Sequence, residues 1–294
     1  MQVSSERMKT HLECIPCFIK QSLEAARMAT DDEEVHERVL KEVMRHLENI
    51  SFSDSPPELS RDVHKIIKTI TNSKDPYKKV KDQSNQKVKK LYPQLKKLVS
   101  EADDSLLMAI KLATVGNVID FGTTNRFNLE DMINIAVKKK FIDDAYPQFK
   151  KTLEQAKNIL YLADNSGEIF FDKLLIEELV KREKDITYVV KANPIINDVL
   201  VGDAKFAGMD KLATIMEGDA GQKRSAPGML LSYVSKEFLE KLRVADMVIS
   251  KGQGNYESLS DIDREVFFLL MVKCPLVAQD IGTEMAQLVL KVKK

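Results

Sequence analysis

Through the first half of the chain, apolar residues recur at the three- and four-residue spacing of helices that bury one face. Over residues 14–30 the stripe is Ile15, Phe18, Ile19, Leu23 and Ala26; over 34–50 it is Val35, Val39, Leu40, Val43, Met44 and Leu47. SDSPPELSRD reads as a turn that opens a third helix, carried on by Val63, Ile66, Ile67 and Ile70. The lysine-rich run 75–102 turns Val80, Val88, Leu91, Leu95 and Leu98 inward. SLLMAIKLATVGNVIDFG is apolar nearly all round, which predicts a buried helix ending at Gly116. No segment before residue 155 reads as a strand, so the first half is expected to be all-helical.

The pattern then changes. NILYLAD (158–164), DITYVVKA (185–192), KLATIMEG (211–218) and DMVISKG (246–252) are short apolar or β-branched runs, each predicted as a strand. Between them lie helical segments: EIFFDKLLIEELVKR, with Phe170, Leu174, Leu175 and Leu179 on one face; a stretch from Asp198 to about Gly208; and KEFLEKLRVA. REVFFLLMVKCPLVA is expected to form a helix or strand followed by another strand, and QLVLKV closes the chain. Strands alternating with helices predict a mostly parallel α/β sheet with helices on both faces, Rossmann-like in kind. The expected organisation is a helical domain over 1–155 and an α/β domain over 156–294.

Composition narrows the function. At 294 residues, 44% hydrophobic and 31% charged, the chain has material for about two domains of ~150 residues, which excludes wholesale disorder. Forty-five Lys and Arg balance forty-five Asp and Glu. No global field therefore draws nucleic acid or an anionic membrane, and the lysine run reads as the solvated face of an amphipathic helix. No apolar run reaches the ~20 residues of a membrane span, and the first residues lack the apolar core of a secretory signal. Three cysteines are too few for a disulfide scaffold. A soluble cytoplasmic protein is expected, and nothing points to a protein partner. All four histidines (His11, His36, His46, His64) lie in the first 64 residues. A site in the second half must then rely on carboxylates, amides and lysines.

Those residue types cluster at the predicted strand ends, where ligands bind in open α/β sheets. The first strand ends in DNSGE (Asp164 to Glu168), the second in KANPIIND (Lys191 to Asp198), the fourth in KGQGNYE (Lys251 to Glu257), and a later one at Lys273 and Cys274. Each alone reads as an ordinary turn or helix cap. Together, carboxylates, amide oxygens and lysines suit a hard divalent cation and a phosphate. DNSGE carries one glycine where a dinucleotide fingerprint needs three, and there is no Walker motif.

In order along the chain, CIPC, GNVID, DNSGE, NPIIND, KGQGNYESL and KCPLVA resemble the damage-control phosphatases, in particular an archaeal and bacterial branch with an N-terminal CxxC. The resemblance spans nearly the whole chain. It implies a metal-dependent phosphatase acting on small phosphorylated metabolites, damaged or side-product ones in particular, with nucleotides or their precursors implied for this branch. The metal it implies is Mn²⁺, with Ni²⁺, Co²⁺ or Mg²⁺ as alternatives. It places the metal on Asp164, Asn165 and Asp198, and the substrate phosphate near Lys251, Asn255 and Lys273. Asn117 and Asp120 reach in from the helical half, and Glu168 faces the substrate. Eukaryotic relatives have one more residue between the DN pair and the glutamate, and a basic residue where Glu257 stands, which implies a different substrate.

On this reading the metal polarises a phosphoryl oxygen while Lys251 and Lys273 neutralise charge. The nucleophile is either a water or the Asp164 carboxylate. Cys14 and Cys17 share a helix face, and three readings of them stand: small buried hydrophobes, a redox pair, or a second metal site with Cys274 and His11. Two rival functions are an S-adenosylmethionine-dependent methyltransferase, for which DNSGE lacks the glycines, and a non-catalytic module binding phosphorylated metabolites.

Overall fold

Helix-forming patterns in the first half become five helices: α1 (Cys14–Ala29), α2 (Glu33–Glu48), α3 (Pro56–Thr71), α4 (Lys78–Glu101) and α5 (Ser105–Gly116). The computed structural model describes residues 8–116, 134–136, 138–142, 145–219 and 225–293. Local chemistry sets the helix starts. Asp32 accepts from the Glu34 and Val35 N–H groups at the head of α2. At α3, Pro56 follows Ser55, whose N–H donates to Glu58 Oε2 at 3.1 Å in a capping box.

After α6 (Tyr146–Gln155) the chain alternates: β1 (Asn158–Leu162), α7 (Ile169–Val180), β2 (Asp185–Val190), α8 (Val201–Ala207), β3 (Thr214–Glu217), α9 (Lys236–Val244), β4 (Met247–Lys251), α10 (Gln253–Leu259), β5 (Val266–Met271), α11 (Pro275–Ile281) and β6 (Leu288–Lys293). The sheet order is β3-β2-β1-β4-β5-β6. The first five strands are mutually parallel and β6 runs antiparallel to β5. Growth of the sheet reverses between β1 and β4. That is the topological switch point, where a crevice opens beyond the strand ends.

One expectation is corrected at the C-terminal end, where a strand was expected. CPLVA forms α11, with Pro275 in the first turn, where a missing N–H costs nothing. The following strand is antiparallel because α11 lies inside a hairpin. The Val272 N–H donates to Gln287 O at 3.0 Å and the Ala286 N–H to Val272 O at 2.7 Å, so the ladder continues into the connection.

Alternation along β1 divides the core. Ile159 and Tyr161 face a cluster built with α4, α5, α6 and α7, including Val88, Leu95, Ala109, Phe149 and Phe171. Leu160 and Leu162 face a second cluster with Phe238, Leu242, Tyr256 and Val277 from α9, α10 and α11. Helices thus cover both faces. A third cluster, with Phe18, Ala26, Val39, Val43, Val63 and Ile67, joins α1, α2 and α3. The core therefore groups α4 to α6 with the sheet, and α1 to α3 among themselves. Among the described residues, no helix is long and apolar enough to cross a membrane.

Candidate active site

Beyond the switch point, the loops after β1 and β2 are bonded to each other. The Val199 N–H donates to Asp164 O at 2.9 Å and the Ser166 N–H to Asn197 O at 2.8 Å, so Asn165 and Asp198 form an antiparallel bridge. This pairing brings Asp164, Asn165 and Asp198 together from segments separated by a whole helix and strand. The loop after β4 closes the third side. Gly252 lies against the Asp164 carboxylate so tightly that a Cβ there would meet its oxygens. Its φ of 80° and ψ of 167° belong to a region open essentially to glycine alone.

Each of the three side chains is oriented. Asn165 Nδ2 donates to Asp164 Oδ2 at 2.7 Å and to Glu168 Oε2 at 3.1 Å. Both amide protons are thereby used inward, and among the described residues Oδ1 accepts no bond. Asp198 is 3% exposed, and its Oδ2 has no hydrogen-bond partner among the described residues. The Lys191 ammonium is 3.8 Å from that oxygen and donates to Gly228 O. Burial pushes the Asp198 carboxyl up to about 7, against the pull of Lys191 and Lys81 and with the help of Asp219 and Glu168. Burial and the nearby Glu168 and Asp198 hold Asp164 well above the usual carboxylate range. Asp219, after β3, is also buried; its Oδ1 accepts from the Ala192 N–H at 2.6 Å, and its Oδ2 has no partner among the described residues. Carboxylates crowd this pocket, and an orphaned buried oxygen needs a cation or a donor.

Lys251 occupies a different place from the expected one. It is the last residue of β4, fully buried, and its ammonium donates to Glu168 Oε1, Asp172 Oδ1 (2.6 Å) and Ala113 O (2.8 Å). All three protons are spoken for, so none is left for a phosphate. Asp172 also accepts from Tyr161 Oη at 2.7 Å and Tyr188 Oη at 2.9 Å, the two phenols being register partners on β1 and β2. The adjacent carboxylates raise the Lys251 ammonium's proton affinity above its ordinary value despite burial, so it stays charged.

Glu168 and Asn255 are likewise turned inward. Glu168 is fully buried between Lys251 and Asn165 and orients the latter. Asn255 spends both amide protons on Ala163 O (3.1 Å) and Lys251 O (2.8 Å), stapling the ends of β1 and β4 together. Lys273 is exposed at the rim, and its charge acts on Asp164 to lower the carboxyl's proton affinity. Asn117 and Asp120 lie outside the described residues.

The cysteines are free thiols: Cys14 buried, Cys17 exposed, Cys274 half-buried. Burial pushes the Cys14 thiol up to about 11, which makes it a poor nucleophile. Among the described residues, no three His, Cys, Asp or Glu side chains group to hold a metal, these cysteines with His11 included. A cation at the strand ends would thus be held by two carboxylates and an amide oxygen.

Sequence reasoning missed Asp172, Tyr161, Tyr188 and Asp219. A signal was present for two of them. Asp172 is a lone carboxylate within the apolar EIFFDKLLI segment, and Asp219 follows β3 just as Asp164 follows β1.

A family model described as the damage-control phosphatase ARMT1-like domain matches residues 10–289. An uncharacterized protein of Methanocaldococcus jannaschii is 36% identical over 99% of this chain and 97% of its own length. A damage-control phosphatase of Pyrococcus horikoshii is 35% identical over 96% of this chain and 97% of its own. The crystal structure of a DUF89 family protein from Pyrococcus horikoshii matches the fold with a TM-score of 0.88 at 32% identity, covering 98% of this chain and 100% of that one.

Proposed function

The chain belongs to the damage-control phosphatase ARMT1-like family, and on that premise we propose that it hydrolyses phosphate monoesters of small metabolites, with a divalent cation held by Asp164, Asn165 and Asp198. The observation that carries this reading is the orphaned Oδ2 of buried Asp198, bridged through the backbone to Asn165 in a pocket crowded with carboxylates. Such a donor set suits a hard or borderline first-row ion, Mn²⁺ first, with Mg²⁺, Ni²⁺ and Co²⁺ as alternatives. When bound, the cation supplies Lewis-acid polarisation of a phosphoryl oxygen and neutralises developing charge.

The chain's own residues supply the rest. Gly252 and the Asn165 amide fix the Asp164 carboxylate on two sides. Glu168, paired with Lys251, anchors the Asn165 amide so that its oxygen stays available as a ligand. Lys273 presents its ammonium, exposed at the rim, to meet the substrate's phosphate. Asp164 is thus held as a ligand is held, and the attacking oxygen comes from water. The substrates are damaged or side-product nucleotides or sugar phosphates, in keeping with relatives named damage-control phosphatases.

The test is hydrolysis of p-nitrophenyl phosphate and a panel of phosphorylated metabolites. Activity is expected to vanish with chelator and return with Mn²⁺. Asp198→Asn is expected to abolish it while circular dichroism stays unchanged. Full turnover in excess chelator, with metal content confirmed as nil, sinks the proposal.

A further inference from the structure

The loop that carries Asp164 and Asn165 is held from outside the sheet. Asn85, on α4, is 3% exposed, and its amide faces two partners. Its Oδ1 accepts from the Gly167 N–H at 2.6 Å, and its Nδ2 donates to Asp203 Oδ1 at 2.7 Å. The second oxygen of Asp203 accepts from the Leu200 N–H at 2.9 Å, closing the first turn of α8. Gly167 has φ of 80°, which turns the chain from β1 into α7. Its N–H lies ahead of the helix and finds no partner within it, so Asn85 supplies one.

The positions of these contacts matter. Gly167 follows Asn165 by two residues, and Leu200 follows Asp198 by two. One side-chain amide therefore ties the turn after the first ligand pair to the helix start after the third ligand. The two loops are also joined by the backbone bridge between Asn165 and Asp198. NPIIND contains Ile196 at φ of 43°, a strained value for a β-branched residue that surroundings must enforce. Lys68 of α3 adds a second hold from the helical side, donating to Pro194 O.

We propose that Asn85 is a positioning residue, setting the two ligand-bearing loops in register so that Asp164, Asn165 and Asp198 converge on one point. This rests on the metal reading above. A ligand set held this way loses affinity when its outer partner is removed, typically by about 10- to 100-fold. A packing role alone would lower stability and leave metal affinity unmoved.

The experiment uses the full chain and two readouts that need no turnover. Mn²⁺ binding is followed by electron paramagnetic resonance of the free ion, and exchange of the Gly167 amide by NMR. Asn85→Ala is expected to weaken Mn²⁺ binding by about 10-fold or more and to strip protection from the Gly167 amide. Asn85→Asp sets a carboxylate against Asp203 and is expected to weaken binding too. Adding Asp203→Asn to it restores the bond between positions 85 and 203. The new amide at position 203 donates to the new carboxylate and keeps its oxygen for the Leu200 N–H, while the carboxylate still accepts from Gly167. Mn²⁺ affinity in that pair is expected to return to within about threefold of wild type. If Asn85→Ala melts lower but binds Mn²⁺ as the wild type does, Asn85 is a packing residue and the proposal is overturned. If Asn85→Ala does not fold, the pair decides: no recovery of affinity over Asn85→Asp alone overturns it as well. A wild-type chain that takes up no Mn²⁺ overturns the metal reading and this one with it. Binding lost in Asp164→Ala but kept in Asn85→Ala overturns this one alone.

Discussion

Replacing Gly252 by alanine perturbs the loop against Asp164 by a single methyl group. Its backbone, at φ 80° and ψ 167°, lies in a region where a side chain costs of order 1–3 kcal/mol. Reduced entropy of the unfolded chain returns about 0.4–1 kcal/mol. The net destabilisation is then about 1–2 kcal/mol, a fall of roughly 2–8 °C in Tm for a chain of this size. The functional effect is larger. A methyl carbon at this position lies 2.7 Å from Asp164 Oδ1 and closer still to Cγ and Oδ2. Carbon atoms pack comfortably from about 3.5 Å, so the carboxylate must withdraw by about 1 Å or more. Metal ligation tolerates only about 0.2 Å, and a misplacement of about 1 Å is worth about 100-fold in rate. Gly252→Ala should therefore fold, melt a few degrees lower, and lose at least about 100-fold in kcat/KM on a phosphate monoester. Circular-dichroism melting, Mn²⁺ titration and steady-state kinetics check the three parts separately. Gly282→Ala is the control: its φ is also 80°, but nothing lies within 4 Å of the added carbon. With ψ of 40° it lies in the milder left-handed region, so it should carry a backbone cost of about 1 kcal/mol without the kinetic loss. A Gly252→Ala enzyme within about threefold of wild-type kcat/KM would refute the argument, because Asp164 could then move freely without consequence.

Lys251→Met leaves Glu168 and Asp172 buried without their shared counter-ion, which should destabilise the fold by about 3–5 kcal/mol in urea unfolding; a variant as stable as wild type would show that the ammonium is not in that network. Lys273→Met should raise KM for phosphate monoesters with an unchanged Tm, because the side chain is exposed at the rim; an unaltered KM removes it from the site. His64 is buried beside Tyr77, and burial, with a smaller push from Lys68, lowers its imidazole from about 6.5 to about 3. It stays neutral in the fold but takes a proton in the unfolded chain below about 6.5, so its stability contribution is full above that pH and is lost as pH falls toward 3. The loss reaches roughly 2 kcal/mol by pH 5, and His64→Phe should remove that part of the pH slope in chemical denaturation; an identical slope in both proteins would contradict the assignment.

The fold was legible because its signals are local. Hydrophobic period distinguishes α1 to α5 from β1, β2 and β4 within a window of a dozen residues. The strand ends then locate the site by topology, and DNSGE and NPIIND hold the three residues that the backbone bridge brings together. CPLVA misled because its apolar, β-branched character fits a strand, while Pro275 at a helix start was the contrary signal. Asn85 lay hidden in a lysine-rich helix whose polar residues read as a solvated face.

Sequence alone determined most of the helices and strands, where polar groups gather and which family's motifs they match. It could not determine what each charged side chain does. Lys251 reads equally well as a phosphate ligand or as the counter-ion of Asp172, which lies 79 residues away in the chain. That choice was left to the tertiary structure, because a buried charge is stable only beside a partner, and partners separated along the chain meet only once the sheet has stacked. The same packing turned Glu168 and Asn255 inward and left Asp198 Oδ2 without a hydrogen-bond partner among the described residues.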